Sequence, residues 1–165
     1  SLHDALPIYI KFRVLNALFG HAGIEWNILE ASEHEIEVLK KYIAFYKANR
    51  AILHTGNIFR SDVITDRAFL YGTISQDKKS ALYTYMQLQS ADGHLPITAQ
   101  LGGLDPANSY KVEVVTEFAP EEFMQRVAPG WYPSITATGA ALATIGLEFP
   151  VLRPESGLAL KVTAI

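Results

Sequence analysis

The chain has 165 residues, 49% of them apolar, no cysteine and a formal charge of −3. That is a globular composition, long enough to bury one ordinary core. It excludes disulfides, cysteine-type zinc sites and thiol catalysis. It also argues against nucleic acid, since a phosphate backbone demands a basic face and no run of like charge here exceeds two residues.

Residues 1–8, SLHDALPI, lack the basic and apolar regions of a signal peptide and read as a non-native leader. No apolar stretch approaches the ~20 residues that span a bilayer. Tyr9 to Phe19 is consistent with a helix whose buried stripe is Ile10, Val14, Ala17 and Leu18. Gly20 and Gly23 then break it. Ala22 to Leu29 has the length and the bounding glycine of a buried strand. Next, Ser32-Glu33-His34-Glu35 is a capping box, in which the side chains of Ser32 and Glu35 each serve the other's backbone amide. Ile36, Leu39, Ile43 and Tyr46 follow at helical spacing. Glu33, Glu35 and Glu37 near the start and Lys47 and Arg50 near the end suit the helix dipole, and Gly56 predicts the stop.

After Gly56 the helical period gives way to alternation. Asn57 to Arg60 is a short strand. Arg67 to Ser75 sets Phe69, Tyr71 and Thr73 against Ala68, Leu70 and Ile74. The polar turn Gln76 to Lys79 joins it to Ser80–Leu88, where Leu82, Thr84 and Met86 oppose Tyr83 and Tyr85, so the pair predicts a hairpin. Leu101 to Pro106 is a turn cluster. Tyr110 to Thr116 is a strand with one wet face, Ala119 to Pro133 is irregular, Thr138 to Leu147 is a short helix or crossover, and Leu158 to Ile165 is a last strand. About six short strands separated by Gly/Pro turns predict an antiparallel β-sandwich. The residues alone thus describe a piece of an α/β layer joined to a β-sandwich, the boundary lying near Gly56.

Candidate chemistry is sparse. His3, His21, His34, His54 and His94 show no metal-ligand spacing. Gly20-His21-Ala22-Gly23 precedes a strand rather than a helix, which is the wrong context for a phosphate loop. Asp62 and Asp66 resemble a carboxylate pair but sit in a polar loop with no apolar wall to raise a pKa. Glu121 and Glu122 are adjacent and diverge. Trp131 and Tyr132 read first as packing within the sandwich; with Tyr83 and Tyr85 they are the candidates for an aromatic platform that stacks on sugar, the lesser reading.

Four segments, FRVLNALFGHAGIEWNI, IAFYKANRAILHTGNIFR, LGGLDPANSYKV and TGAALATIGLEFPVLRPESGLAL, resemble the C-terminal end of glycoside hydrolase family 36 α-galactosidases. The likeness runs from about Lys11 to Leu160. It implies a β-supersandwich, a (β/α)8 barrel and a C-terminal antiparallel β-sandwich in the parent protein. Residues 9–56 would then be the last helix-strand-helix of the barrel, with Ala22–Ile28 as its final strand, and residues 57–165 would be the sandwich. The fold class implied is mainly β with an α/β N-terminal piece.

The same resemblance implies retaining hydrolysis of terminal α-galactosides of the raffinose and melibiose type. An Asp nucleophile and an Asp acid/base would belong to the fourth and sixth barrel strands. No residue here matches either, so the chain alone is expected to be inactive. Glu25 and Asn27 could line the barrel rim as substrate-binding residues. The expectation includes no metal or organic cofactor, α-galactoside oligosaccharides as partners, no nucleic acid or membrane, a cytoplasmic location, and compatibility with a homo-oligomer. A non-catalytic β-sandwich module for carbohydrate binding or enzyme assembly is the alternative. The apolar stripe of the long helix, deprived of a barrel, is expected to be exposed, to self-associate or to fold onto the sandwich.

Overall fold

A computed structural model describes residues 7–20, 28–61, 67–90 and 95–165. Two helices come first, α1 (Pro7–Ala17) and α2 (Glu33–Thr55). Eight strands follow among the described residues: β1 (Asn57–Arg60), β2 (Ala68–Ile74), β3 (Ser80–Gln87), β4 (Ile97–Ala99), β5 (Ser109–Val114), β6 (Ser134–Thr138), β7 (Leu147–Phe149) and β8 (Ser156–Ala164). A one-turn helix, α3 (Gly139–Thr144), separates β6 from β7.

Six strands form one antiparallel sheet in the order β1-β2-β3-β8-β5-β6, and β4 pairs with β7 in a separate two-stranded sheet. The period of two sets the register. Tyr83 faces Leu160 across the β3–β8 ladder and Tyr85 faces Leu158, so these side chains share one face. Leu82, Thr84 and Met86 point to the other face. Both faces of β3 are buried, from Ala81 to Gln87, because each is covered by a different layer.

On one face, Leu70, Tyr83, Tyr85, Tyr110, Val112, Leu158 and Leu160 pack under Leu101, Trp131, Leu142, Leu147 and Phe149. On the other, Met86, Ala159, Val115 and Phe118 meet α1 and α2. The domain is therefore a three-layer stack, with helices, a large sheet and a small sheet, rather than two comparable sheets face to face. The mainly antiparallel β expectation holds. The alternation did not show that the small sheet would have only two short strands or that helices would cover the second face.

The helix expectations need local correction. In α1 the buried stripe is Ile10, Val14 and Leu15, continued by Leu18 just past its end, while Ala17 is exposed. In α2 it is Val38, Leu39, Tyr42 and Tyr46, with Ile36 and Ile43 only half-buried. The contact face is rotated toward α1 and Phe118, because α2 packs on both. The stripe thus folds onto the sheet, one of the three expected outcomes. Burying each such leucine contributes roughly 1.5–3 kcal/mol.

The capping box is present: Ser32 Oγ accepts from the Glu35 amide at 3.3 Å, and Glu35 Oε2 accepts from the Ser32 amide at 2.8 Å. The expected strand Ala22–Ile28 falls mostly on residues 21–27, outside the described residues. Ile28, its last residue, opens a 3-10 turn with Leu29 and Glu30, and Leu29 is 94% exposed.

Candidate functional site

The sequence motifs lie where the layers join. In the LDPxxxY segment, Asp105 Oδ1 accepts from the Ala107 amide at 3.0 Å, closing an Asx turn. The segment's tyrosine, Tyr110, sends its phenol back to the start of the turn. Its Oη accepts from the Asp105 amide at 3.0 Å and donates to the Lys78 carbonyl at 2.7 Å. Tyr83 Oη donates to the Gly102 carbonyl at 2.6 Å. Two buried phenols therefore staple the LGGLDP loop to β3 and to the β2–β3 turn. At Gly139, the first residue of α3, a Cβ would overlap the Asp105 carbonyl oxygen, so the motif's turn and α3 meet backbone to backbone.

The second cluster surrounds β7. Trp131 Nε1 donates to the Glu148 carbonyl at 2.7 Å, and its ring meets Phe149 edge-on. Phe149 stacks on Tyr85 with ring centroids 4.5 Å apart. Burial raises the Tyr85 phenol to about 12, and burial followed by the nearby Tyr110 phenol pushes Tyr83 higher still. These phenols stay protonated and serve as structural donors.

This placement decides the aromatic candidates. Trp131, Tyr83 and Tyr85 are buried core residues, and Tyr132 is half-buried against Phe123 at 5.0 Å. Trp131, Tyr83 and Tyr85 therefore offer no face to a sugar: for Trp131 the core-packing reading holds, and the sugar-platform alternative fails for all three.

The third cluster closes α2. Tyr46, Arg50 and His54 recur every fourth residue and share a face. Tyr46 Oη lies 2.6 Å from His54 Nε2, and the Arg50 guanidinium sits 5.9 Å from the Tyr46 ring centroid. Between α2 and strands β5 and β8 opens a groove of about 560 Å³ bounded by Lys41, Phe45, Asn49, Glu113, Glu117 and Lys161. Glu113 is paired with Lys111 at 2.6 Å.

Among the described residues the remaining carboxylates show no acid/base pair. Glu121 binds Lys11 at 3.1 Å and Glu122 binds Arg153 at 2.7 Å, so the two adjacent groups do diverge. Glu35, Glu37 and Asp77 are all held below the usual carboxylate range, chiefly by hydrogen bonds from the Ser32 amide, the Lys40 ammonium and the Ser75 hydroxyl respectively. A general acid needs the opposite shift. Among the described residues no group of three His, Cys, Asp or Glu could hold a metal, and no helix is long and apolar enough to cross a membrane. His34 and His54 are separated by twenty positions on α2. Glu25, Asn27, Asp62, Asp66, His3, His21 and His94 lie outside the described residues.

Known proteins place these motifs. Residues 69–157, just over half of the chain, match the model of the glycosyl hydrolase family 36 C-terminal domain. The chain belongs to this family. It is 34% identical over 158 residues to the alpha-galactosidase of Escherichia coli, covering 90% of this chain but 22% of that protein. Among solved structures, the alpha-galactosidase of Lactobacillus brevis superposes with a TM-score of 0.74 at 23% identity, over 93% of this chain and 20% of that one. A variant of the family 36 alpha-galactosidase AgaA from Geobacillus stearothermophilus, solved in complex with raffinose, gives 0.73 at 20% identity, over 93% and 19%. The chain spans about a fifth of the length of these relatives.

The family match begins at Phe69 and takes in the LDPxxxY turn, Trp131 and β7. The residues that carry the family resemblance are therefore mostly staples and layer contacts. Sequence reading missed the roles of Tyr83 and Tyr110. The available signal was a tyrosine five residues after the turn Asp, within reach of that turn's own backbone.

Proposed function

We propose that this chain is the C-terminal part of a retaining α-galactosidase acting on terminal α-galactosides of the raffinose and melibiose type. The observation that carries the proposal is the family match over residues 69–157. The identity of 34% to an alpha-galactosidase and the fold likeness to one that binds raffinose support it.

In this reading α1, residues 21–27 and α2 are the end of the catalytic barrel, and β1 to β8 with α3 are the C-terminal domain. Glu25 and Asn27 line the barrel rim and contact substrate without breaking bonds. The Asp nucleophile and the Asp acid/base sit on other barrel strands, held close enough for retention, about 5–5.5 Å apart. The hydrolysis needs neither metal nor organic cofactor, and the parent works in the cytoplasm, free or as a homo-oligomer, away from nucleic acid and membrane.

The 165-residue chain and a longer polypeptide carrying the barrel are to be assayed on an aryl α-galactoside. Turnover by the longer protein alone is the expected result. Turnover by the short chain that is lost on Asp62→Asn or Asp66→Asn would overturn it.

A further inference from the structure

An α-helix ends with carbonyls that have no partner within the helix. At an exposed end, water satisfies them and the following chain swings freely. The end of α2 is different. The Ile52 carbonyl accepts from the Gly56 amide at 2.9 Å and from Thr73 Oγ1 at 3.0 Å. The Thr55 carbonyl accepts from Gln76 Nε2 at 2.6 Å. Thr73 belongs to β2 and is 1% exposed, and Gln76 belongs to the β2–β3 turn. One neighbouring element thus ties down two carbonyls of the last turn of α2.

Gly56 shows how close the approach is. Its φ of −73° and ψ of 161° are open to any residue, so a left-handed stop is not what requires glycine here. A Cβ at Gly56 would overlap Thr73 Oγ1 and lie 2.6 Å from the Ile52 carbonyl and 2.8 Å from the Ile74 carbonyl. The next residue, Asn57, already pairs with Ile74. No slack separates helix from sheet, and the branched Thr73 side chain is itself stiff.

We propose that Gly56, Thr73 and Gln76 form a rigid clamp that fixes the direction of the end of α2 against the six-stranded sheet. Resting on the α-galactosidase reading above, Thr73 and Gln76 are then positioning residues for the parent enzyme. They act through α2, which holds the last barrel unit and its rim in register with the sheet. The junction at Gly56 works as a joint of fixed angle.

The native chain has no cysteine, so spin labels on Ala51→Cys and Thr163→Cys, both exposed, report this angle directly. A single narrow distance distribution is expected, broadening about twofold when Thr73→Val and Gln76→Ala remove the side-chain bonds at one end of α2. Thr73→Ser with Gln76 retained keeps both side-chain bonds and the narrow distribution. An unchanged width in the double variant, with far-UV circular dichroism retained, overturns the clamp.

In the longer polypeptide the same double variant is expected to lower kcat on an aryl α-galactoside about tenfold with KM nearly unchanged, as misplacement without lost contacts does. Broadened distances with an unchanged kcat overturn the positioning role. A wild-type longer polypeptide without turnover overturns the α-galactosidase reading instead, and the distance measurement still decides the clamp.

Discussion

The two faces of the six-stranded sheet are held by different means. The face under β4, β7 and α3 is closed by long-range staples: Tyr83 and Tyr110 phenols on loop backbone, Trp131 on Glu148, and Phe149 stacked on Tyr85. Its chain lies mostly within the family-matched residues 69–157. The opposite face is closed by two helices that precede the match, through Leu15, Leu18, Leu39, Tyr42 and Phe118. There most contacts are apolar and edge-on aromatic, such as Phe45 against Phe118 at 5.2 Å, with two exposed polar ties, Lys11 to Glu121 at 3.1 Å and the Tyr71 hydroxyl to the Asn16 carbonyl at 3.4 Å. The first face carries its own polar fastening within the sheet domain. The second depends on helices arriving from elsewhere in the chain, fastened mainly by shape and by the end of α2, with exposed polar ties at α1.

The sharpest test of that contrast is Trp131→Ala. It removes a large ring and leaves the Glu148 carbonyl without its donor, so about 3–5 kcal/mol should be lost. Urea unfolding followed by fluorescence and by circular dichroism should shift together, because the stapled face is the core of the whole domain. Non-coincident shifts would break the comparison.

Leu39→Ala acts on the helical face and should cost about 2–4 kcal/mol. Its expected signature is regional: hydrogen exchange speeds up in α1 and α2 while amides of β3 and β8 keep most of their protection. Equal loss everywhere would show that the two faces form one cooperative unit.

Tyr110→Phe removes one hydroxyl and orphans both the Asp105 amide and the Lys78 carbonyl. A loss of about 1–3 kcal/mol in a urea titration is expected. A neutral result would mean that water replaces the staple.

The smallest effect is at the start of α2, where Ser32→Ala should cost about 1 kcal/mol by removing the cap. The Glu35 carboxyl is held below its ordinary value, first by the Ser32 amide and then by the Ser32 hydroxyl. A lowered carboxylate stabilises the fold above its unfolded value near ~4.3 and loses that contribution as pH falls through the folded value. The Ser32→Ala variant should therefore show a shallower acid-side loss of melting temperature than the native chain. An identical acid limb would show that the Ser32 hydroxyl adds nothing to what the Ser32 amide already does to this carboxyl.

Local signals were legible because they depend on few residues. Ser32 and Glu35 are three positions apart, and one turn of helix brings them together whatever surrounds it. Alternation in Ala68–Ile74 and Ser80–Gln87 set the two faces of β2 and β3 correctly, since the pleat alone decides that. The carboxylates Glu121 and Glu122 diverge as adjacent residues must. β4, β6 and β7 were missed because strands of three to five residues carry too few alternations to stand out from a loop. The buried stripe of α2 was assigned to Ile36 and Ile43 where the structure buries Val38 and Tyr42, because a helix with apolar residues on several faces leaves the choice to its neighbours. Of the candidate site, the sequence offered Glu25 and Asn27 through family likeness, and residues 21–27 are not among those described.

The sequence by itself determined the capping box, the alternation of the long strands, the turn at LDPxxxY and the family those motifs denote, because each is a pattern over short separations. Only the tertiary structure decided that Trp131 is core rather than platform. It alone showed that Tyr83 and Tyr110 fasten loops, and that Gly56 is fixed by close approach rather than by a left-handed turn. Those facts depend on which distant backbone arrives at each side chain, a choice made by the packing of all three layers at once.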